Sequence, residues 1–436
     1  MAKRATARGD ERTDLGGERD VLICGASFAG LMIARQLAGS GADVLVVDRY
    51  EIGERQTSAC VIPTAWLEEL DLLESERQRF DSVLVHTAHG SIDLPVPWSF
   101  STFDYRSLCD LLWAGCDAEF QTAKVNGRAG AGPTGVRAGA MNGGPSRNRS
   151  QNGSSGSGGA GRGAPVAIET DRGTITAPLV VDALGWKRAL ASDGHFQPPD
   201  APLSRGLEVH PAGSSPDLEV WIDRKYVPEG YGWSFPAGDE LRIGIGSFDP
   251  RFHVRETTEL LANDVGAEVT GWQGNWIPHK LRDGTDEGVF FAGDSAGHCL
   301  PLTAEGIRPA LYFGAALGLE LRAVIDGQQS RDRALAAYHR FNASHERQFR
   351  WLQNSQKGLP KVPPRLVKPI LRAAFTGPTG RLAFRRYLGI APPQFARTAA
   401  VSTSLKSLLL DMPDLGEDED FERPKDYGRP VEPWAS

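Results

Sequence analysis

The stretch Asp20-Val-Leu-Ile-Cys-Gly25-Ala-Ser-Phe-Ala-Gly30 decides the fold of this chain. Its first half is an apolar run typical of a buried strand, and a helix-patterned run continues from Leu31 to Ala38. A second strand is predicted at Val44-Leu-Val-Val47, and Asp48 follows it, 23 residues after Gly25. A strand, a glycine turn, a helix, a second strand and an acid in this order form the dinucleotide-binding arrangement of a doubly wound α/β fold.

The glycine turn predicts how a dinucleotide would bind. The start of the following helix would hold a pyrophosphate, and Asp48 would accept hydrogen bonds from ribose hydroxyls. Ser27 stands at the second glycine position, where it is small enough for close approach and its hydroxyl could donate. A nucleophile elbow is a poor alternative, because Ala29 stands where that motif needs its closing glycine. The predicted cofactor contacts in this region are Gly25, Ser27, Phe28, Ala29, Gly30 and Asp48.

A second motif lies much later in the chain. Gly288-Val-Phe-Phe-Ala-Gly-Asp294 predicts a strand that ends in Gly-Asp, and Pro301-Leu-Thr-Ala-Glu-Gly-Ile307 follows before a long helix. The Gly-Asp pair resembles FAD enzymes of the para-hydroxybenzoate hydroxylase superfamily, in which the Asp contacts the ribityl chain. The second segment resembles the geranylgeranyl reductase branch of that superfamily. The resemblance implies FAD contacts by Gly293, Asp294, Gly306 and Ile307, with helix-start amides facing the flavin.

An aromatic motif, Tyr231-Gly-Trp-Ser-Phe-Pro236, precedes Gly244-Ile-Gly246. Side chains alternate along a strand, so the three aromatic rings would share one face, and Pro236 would end or kink the run. Such an aromatic wall, formed by the three rings, suits a flat or apolar ligand. The motif resembles the signature of the geranylgeranyl reductase family. The predicted substrate-binding residues are Tyr231, Trp233, Phe235 and Pro236.

The same resemblance suggests further site residues. Asp104-Tyr-Arg106 resembles the superfamily position where an arginine reaches the FAD. Glu51 to Cys60 resembles the family segment in which a cysteine faces the flavin, although Val61-Ile62 replace the glycines that follow it there. Cys60 is therefore a candidate proton donor, against a buried structural thiol, with the phenol of Tyr231 as the fallback. Arg49 and Arg55 are candidate FAD contacts, and a plain salt bridge is the alternative for Arg55.

The resemblance implies an α/β protein with a doubly wound Rossmann-like FAD-binding domain, an antiparallel-sheet substrate domain and C-terminal helices. It implies FAD-dependent reduction of prenyl-chain double bonds in a membrane lipid, such as a prenyl quinone or prenyl glycerolipid. The external reductant, NAD(P)H or a ferredoxin, is left open because no second nucleotide fingerprint is evident.

Two alternatives remain. One is an FAD-dependent monooxygenase or halogenase of an aromatic substrate. The absence of lysine between Asp48 and Lys124 disfavours the halogenase, and Gly297 and Leu184 disfavour the hydroxylase. The other is a non-redox flavoprotein resembling lycopene cyclases.

Composition limits the class of protein. The chain has 436 residues, a formal net charge of -7 and five cysteines without a C-x-x-C pair. The charge argues against nucleic-acid binding, the Cys/His spacing predicts no metal site, and the unpaired cysteines suit a reducing cytosol. No stretch is long and apolar enough to span a bilayer. We expect a cytoplasmic protein that associates peripherally with the inner face of the cell membrane.

The domain organisation follows from changes in composition. Residues 126–164 include 13 Gly and no acid, and residues 357–406 hold ten Lys or Arg and no acid, interleaved with apolar clusters. The first segment cannot bury enough surface to order itself, while the second favours docking on an anionic membrane, against a solvated helical cap. The predicted divisions are a disordered tail at 1–18, an FAD-binding domain at 19–125, 165–195 and 285–328, a disordered insertion at 126–164, a substrate domain at 200–280, a basic helical region at 329–410 and an acidic tail at 411–436.

Overall fold

The computed structural model describes residues 3–5, 13–56, 58–130, 164–192, 203–375 and 377–395. The strands are β1 (Lys3–Ala5), β2 (Gly17–Glu18), β3 (Val21–Cys24), β4 (Val44–Asp48), β5 (Val61–Pro63), β6 (Glu76–Thr87), β7 (Gly90–Phe103), β8 (Glu119–Thr122), β9 (Val125–Arg128), β10 (Val166–Thr170), β11 (Gly173–Ala177), β12 (Leu179–Asp182), β13 (Leu203–Val209), β14 (Glu219–Ile222), β15 (Gly230–Pro236), β16 (Leu241–Ser247), β17 (Gln273–Pro278), β18 (Thr285–Asp286) and β19 (Val289–Phe291). The helices are α1 (Phe28–Gln36), α2 (Thr64–Glu69), α3 (Tyr105–Ala114), α4 (Arg255–Asp264), α5 (Ile307–Ile325), α6 (Arg331–Ser344), α7 (Glu346–Gly358), α8 (Pro364–Phe375) and α9 (Gly377–Leu388), with short 3-10 turns at Leu73–Ser75, Gly293–Ala296 and Leu359–Lys361.

The first sheet has the order β1-β8-β4-β3-β12-β19-β18. Its strands pair in parallel except β18, which runs antiparallel to β19 at the edge. The central strands β3 and β12 are buried along their whole length, because parallel sheets are covered on both faces. The doubly wound α/β class predicted from the sequence is therefore confirmed.

Helices α1 and α5 pack closely against each other on this sheet. Two glycines of α5 make the approach possible: a Cβ on Gly314 would lie 3.0 Å from the Ala29 carbonyl oxygen, and one on Gly318 would lie 2.4 Å from Gln36. The long buried helix α5 thereby supports the turn at the start of α1. The two cofactor motifs, distant in sequence, are joined through this packing.

Two further sheets are present among the described residues. The larger, called the third sheet, has the order β17-β13-β16-β15-β14-β6-β7-β5. It is antiparallel apart from one parallel pair, β14 with β6, so the predicted antiparallel substrate sheet contains one exception. The hydrogen bonding extends this sheet to residues 61–103, which the sequence analysis grouped with the FAD-binding domain. Strand alternation along β6 and β7 did not reveal which sheet they join, because pairing partners are set by tertiary contacts.

The second sheet is small, with the order β2-β11-β10-β9, and it lies beside the first. The prediction of a disordered tail at 1–18 is wrong for the described part, since β1 pairs with β8 and β2 pairs with β11. Both short strands gain order by adding backbone hydrogen bonds to the edge of an existing sheet, which composition alone does not reveal. Residues 6–12 lie outside the described residues.

The predicted insertion at 126–164 begins later than expected. Residues 125–128 form β9, which pairs antiparallel with β10, and the Arg128 guanidinium donates to the carbonyls of Leu190 and Asp286 at 2.6 and 2.9 Å. Residues 131–163 lie outside the described residues, as do 193–202 and the predicted acidic tail at 411–436. The basic C-terminal region is helical through α6, α7, α8 and α9, and it is described as far as residue 395.

The fold predicts that Gly30→Ala will disrupt the turn at the start of α1. An added Cβ would lie 1.9 Å from the Gly25 carbonyl oxygen, so the turn must open, and we expect loss of bound FAD together with a lower free energy of unfolding. Denaturant titration and flavin absorbance of the purified protein measure both. Gly358→Ala, which meets nothing within 4 Å, is the matched control and should leave both unchanged. Equal FAD content in the two variants would contradict the assigned turn.

Candidate functional site

The predicted cofactor segments lie together at one edge of the first sheet. Gly25, Asp48 and Gly293 lie at the carboxyl ends of β3, β4 and β19, which run parallel and therefore end at the same edge. A Cβ built on Gly293 would lie 3.2 Å from the Cβ of Ala29. Open α/β sheets bind ligands outside the carboxyl ends of their strands, so this edge is the expected cofactor site.

The turn from Gly25 to Gly30 fits a pyrophosphate. Gly25 has φ of +113°, and a Cβ there would lie 2.2 Å from the Ala183 carbonyl oxygen, so only glycine is accommodated. No side chain caps the start of α1; the preceding Ser27 is extended, and its hydroxyl lies 3.2 Å from the Tyr105 hydroxyl. The first N–H groups of the helix are thus left for an anion, as at other helix N-termini that bind phosphate.

Asp48 lies at the end of β4, as the sequence predicts. Its carboxylate accepts hydrogen bonds from the backbone N–H groups of Ala26 and Tyr50, at 2.9 and 3.1 Å. Burial raises the pKa of Asp48, although these backbone bonds and the nearby Arg49 favour the charged form. The carboxylate is therefore positioned between the glycine turn and the following loop, where a ribose would lie.

The three predicted arginines lie on exposed positions around this loop. Arg55 donates to the Tyr50 hydroxyl at 2.5 Å, and the Arg49 guanidinium lies 4.8 Å from the centre of the Tyr50 ring. Arg106 is in the first turn of α3, next to Gly53, where an added Cβ would lie 2.8 Å from the Arg106 Cα. Their positions suit contact with the FAD phosphates, and that role stays a prediction.

The second cofactor turn is held by a buried histidine. The N–H of Gly293 donates to Nδ1 of His298 at 3.1 Å, and Nε2 of His298 lies 2.8 Å from Oδ1 of Asn342 on α6. Burial lowers the pKa of His298 to about 3, so the ring is neutral and its tautomer is set by these two partners. The histidine fixes the turn rather than taking part in chemistry.

Asp294 lies on that turn and is half-buried. Burial raises its pKa to about 6, with Arg282 acting in the opposite direction. A carboxylate in this position gains from hydrogen-bond donors that favour its charged form. The ribityl hydroxyls that the family resemblance places here are such donors, so the residue fits FAD.

A buried ion pair joins the following loop to the C-terminal helices. Glu305 accepts two hydrogen bonds from the Arg308 guanidinium, at 2.6 and 2.8 Å, and a third from the Tyr387 hydroxyl. The Tyr387 hydroxyl also lies 2.6 Å from the Thr303 hydroxyl. Thr303, Glu305, Arg308 and Tyr387 are called the Glu305 cluster below.

The Glu305 cluster stabilises the loop before α5. Burial would raise the pKa of Glu305, but the Arg308 guanidinium and its hydrogen bonds hold it below the ordinary value. Ala304, between Thr303 and Glu305, has φ of +50°, which is a strained conformation for alanine. The ion pair keeps this strained loop in place beside Gly306 and Ile307, the predicted flavin contacts at the start of α5.

The aromatic wall forms as the alternation predicts. The ring centres of Tyr231 and Trp233 are 6.0 Å apart, and those of Trp233 and Phe235 are 6.2 Å apart. The Tyr231 hydroxyl donates to the carbonyl of Thr303. One end of the wall therefore contacts the loop that precedes α5. Pro236 is the last residue of β15, and its carbonyl accepts from the Thr102 hydroxyl at 2.8 Å.

The glycines after the aromatic motif make room for Trp233. A Cβ on Gly244 would lie 2.3 Å from the indole, and one on Gly246 would lie 3.4 Å from it. The indole thus lies flat against the neighbouring strand β16. The motif Gly-x-Gly is a packing requirement of the wall, and it does not bind a nucleotide.

A buried carboxylate orients the same indole. Oε2 of Glu208, on β13, accepts from the Trp233 indole N–H at 3.0 Å, and Oε1 pairs with His210 and Gln273 at 3.0 and 2.8 Å. Each carboxylate oxygen therefore has a hydrogen-bond partner, as a buried charge requires. Glu208 thereby fixes the orientation of the indole within the wall.

Cys60 is fully buried in a strained position. It has φ of +57°, and its thiol lies 3.1 Å from the carbonyl oxygen of Ser58. Burial strongly raises its pKa, with the nearby Arg242 acting in the opposite direction, so the group stays a neutral thiol. Arg242 donates to the carbonyls of Ala59 and Phe103 at 3.2 and 3.0 Å and is the cross-strand neighbour of Phe235. The Cys60 loop is thereby attached to the sheet that carries the wall.

Sequence reasoning missed Glu208, Arg242, Arg308 and Tyr387. Only Arg308 carried a signal, since Glu305 and Arg308 are three residues apart at the start of a helix and could pair. Glu208 and Arg242 are polar residues in otherwise apolar strands, and Tyr387 is one aromatic residue in a basic helix. Their partners come from distant segments, so spacing along the chain did not identify them.

Asp294 predicts a pH dependence of FAD affinity. Its pKa of about 6 is raised, so FAD hydroxyls that favour the carboxylate should bind more tightly as the pH rises through 6. The gain in FAD affinity is about tenfold if bound FAD lowers the pKa of Asp294 by one unit, toward its ordinary value. Fluorescence titration of the apoprotein with FAD, below and above pH 6, measures this. Asp294→Asn should abolish the rise and weaken binding mainly above pH 6; an unchanged slope in that variant would exclude the contact.

The Arg308–Glu305 ion pair predicts a large stability effect. Arg308→Met leaves the Glu305 carboxylate buried without its main partner, and we expect a loss of about 3–5 kcal/mol in the free energy of unfolding. Because the folded pKa of Glu305 is lowered, its contribution is present above the ordinary glutamate pKa and is lost as the pH falls through the folded value.

The same ion pair predicts a change on the acid side. Glu305→Gln should make the acid-side loss of stability shallower. Arg322→Met is the matched control, because Arg322 pairs with Asp326 on the exposed side of the same helix, where an ion pair contributes up to about 1 kcal/mol. Urea titrations across the acid range measure all three variants, and equal losses for Arg308→Met and Arg322→Met would refute the assigned role.

Comparison with known proteins supports an FAD-binding domain in this chain. The model of the FAD binding domain family matches residues 18–86. A digeranylgeranylglycerophospholipid reductase from Methanococcus vannielii is 27% identical over 142 residues, 30% of this chain and 35% of that protein. Digeranylgeranylglycerophospholipid reductase 3 from Methanosphaera stadtmanae is 23% identical over 360 residues, 75% of this chain and 83% of that protein. The match to the first relative thus spans about a third of its length.

Solved structures show the same fold. A geranylgeranyl bacteriochlorophyll reductase-like protein from Thermoplasma acidophilum has a TM-score of 0.67 at 16% identity, covering 90% of this chain and 99% of that one. A probable FAD-dependent monooxygenase from Pseudomonas aeruginosa has a TM-score of 0.57 at 17% identity, covering 86% and 99%. At these identities the likeness is one of fold alone. The family model indicates an FAD-binding domain in this chain, and the sequence relatives show that the chain is similar to geranylgeranyl reductases.

Proposed function

We propose that this protein uses FAD to reduce carbon–carbon double bonds in the isoprenoid chain of a membrane lipid, such as a prenyl quinone or a prenyl glycerolipid. One observation carries the proposal: the Tyr231 hydroxyl bonds to the Thr303 carbonyl, so the aromatic wall meets the loop that precedes the flavin-facing start of α5. An isoprenoid chain lying along the aromatic wall would therefore have its double bonds next to the cofactor. The names of the sequence relatives, which are reductases of geranylgeranyl groups, support this substrate class.

The wall is suited to an isoprenoid chain. The rings of Tyr231, Trp233 and Phe235 form a continuous apolar surface, and each methylene group buried on such a surface contributes about 0.8 kcal/mol. Ring faces also stabilise positive charge that develops on a carbon when the alkene is protonated. Glu208 keeps the indole from rotating, so the shape of this surface is preserved.

An isolated alkene is not electrophilic, so its reduction needs a proton for one carbon and a hydride for the other. Reduced FAD supplies the hydride when it is bound. Two groups of this chain could deliver the proton: the phenol of Tyr231 and the thiol of Cys60. Burial raises the pKa of both, so each carries its proton at neutral pH. The reaction would also need a substrate chain that covers the wall and keeps water from the proton transfer.

The reductant and the location complete the proposal. Electrons would come from NAD(P)H or a ferredoxin, and the substrate would be reached from the inner face of the cell membrane. No helix among the described residues has the length and apolar character needed to cross a bilayer. In the same part of the chain, no three His, Cys, Asp or Glu residues are grouped to hold a metal ion.

The test is mass spectrometry of lipid extracts incubated with the purified, chemically reduced protein. We expect prenyl lipids to gain two hydrogens per double bond. Tyr231→Phe keeps the ring but removes the hydroxyl, and Cys60→Ser removes the thiol. The variant that lacks the proton donor should reduce prenyl lipids at least about 100-fold more slowly than the wild type, which is the usual effect of losing a general acid.

Matched controls separate chemistry from folding. Tyr226→Phe removes a hydroxyl that bonds Asp264 away from the wall, and Cys116→Ser replaces another buried thiol. Both controls should reduce lipids at the wild-type rate and bind FAD. A gain of oxygen under air would instead indicate a monooxygenase, and a product of unchanged mass would indicate a cyclase; either result overturns the proposal.

A further inference from the structure

Helices α8 and α9 expose large apolar side chains on their outer faces. Leu366 and Ile370, four residues apart on α8, are 43% and 48% exposed, and Leu382 on α9 is 56% exposed. Residues at this spacing lie on the same face of a helix. Phe375, where α8 ends, is also exposed. Soluble proteins seldom leave such side chains clustered in water without a binding role.

The inner faces of the two helices are already used. Val367 is buried, and Phe384 packs edge-on against Phe375 and against Phe100 of β7. At the end of α9, Tyr387 belongs to the Glu305 cluster, and the carbonyl of Leu388 accepts from Arg308 of that cluster. The two helices are thus held on the third sheet by one side, while Leu366, Ile370 and Leu382 remain exposed on the other.

The exposed apolar residues are surrounded by positive charge. From residue 357 to residue 395 the chain has eight Lys or Arg and no Asp or Glu, although its net charge is -7. Arg381 and Arg385 line an open groove of about 300 Å³ together with Pro378 and Leu382. A groove with two guanidinium groups beside an exposed leucine matches a phosphate group attached to an acyl chain.

Charge and apolar surface together identify the partner. A basic helix face with exposed Leu, Ile and Phe binds anionic lipid through both electrostatic attraction and insertion of its side chains. A second copy of this chain would bring the same positive charge against itself, which disfavours self-association through this face. We propose that the outer faces of α8 and α9 dock on an anionic phospholipid bilayer.

The position of these helices connects the bilayer to the site. Tyr387 of α9 bonds Thr303 and Glu305, and the carbonyl of Thr303 accepts from Tyr231 of the wall. Docking through α8 and α9 therefore brings the bilayer surface close to Tyr231, the end of the wall that contacts the loop before α5. The choice of a lipid partner rests on the proposed function, and it deepens that function by naming the surface through which the substrate is reached.

The test is sedimentation of the full-length, FAD-loaded protein with vesicles of phosphatidylcholine, with and without phosphatidylglycerol. We expect binding to the anionic vesicles only, decreasing as salt is added. Arg381→Glu combined with Arg385→Glu and Arg386→Glu should weaken binding at least about 100-fold, since each nearby charge contributes about fivefold. Leu366→Ser with Ile370→Ser should weaken it about tenfold or more.

The chain offers matched controls for both variants. Arg251→Glu, Arg255→Glu and Arg333→Glu together change the net charge equally at other exposed positions, and Leu260→Ser with Val265→Ser removes apolar side chains exposed beside α4. Both controls should bind vesicles as the wild type does. Thermal unfolding and flavin absorbance show whether each variant is folded.

The outcomes are distinguishable from those of the reductase test. Vesicle binding that the α8–α9 variants abolish, without lipid reduction, supports the docking surface and counts against the proposed function. No binding of the wild type to anionic vesicles, or equal losses in the variants and their controls, overturns the docking surface. A wild-type dimer that becomes monomeric with Leu366→Ser and Ile370→Ser would replace the bilayer by a second copy and would also overturn it.

Discussion

The ion pair between Glu305 and Arg308 is the interaction on which the site depends most. Arg308 is fully buried and Glu305 largely so, and such a pair is tolerated only when its remaining hydrogen-bonding capacity is satisfied. Tyr387 supplies one of those bonds, and the Leu388 carbonyl accepts from Arg308 at 2.7 Å. These partners come from the loop before α5, from α5 itself and from α9. The pair therefore fixes three separate parts of the molecule relative to one another.

The geometry of the wall follows from that arrangement. Thr303 is held from one side by Tyr387 and accepts from Tyr231 on the other, so the loop and the wall cannot move independently. Beyond Tyr231 the wall is fixed by Glu208 and by the glycines of β16, which admit the indole of Trp233. A rigid apolar surface suits a substrate with few polar groups, because orientation must then come from shape.

A shared fold leaves the chemistry open, and the residues around the wall narrow it. The same FAD-binding architecture occurs in a probable monooxygenase with a TM-score of 0.57, so the fold does not distinguish oxygenation from alkene reduction. In this chain the aromatic wall and two protonated groups, Tyr231 and Cys60, are the features on which the proposed alkene reduction rests. Cys60 and Ala304, which adjoin this region, are two of the five described non-glycine residues with positive φ.

The sequence by itself determined the FAD-binding turns and the aromatic face. Gly25, Gly30, Asp48 and the Gly293–Asp294 pair are local motifs, and the alternation of Tyr231, Trp233 and Phe235 follows from strand geometry, so both could be predicted without a structure. Only the tertiary structure decided the rest. The third sheet takes in strands β5, β6 and β7, short N-terminal strands join sheet edges, and Glu208, Arg242, Arg308 and Tyr387 find partners far along the chain. Backbone pairing and buried charge depend on which segments meet in space, and periodicity along one segment does not contain that information.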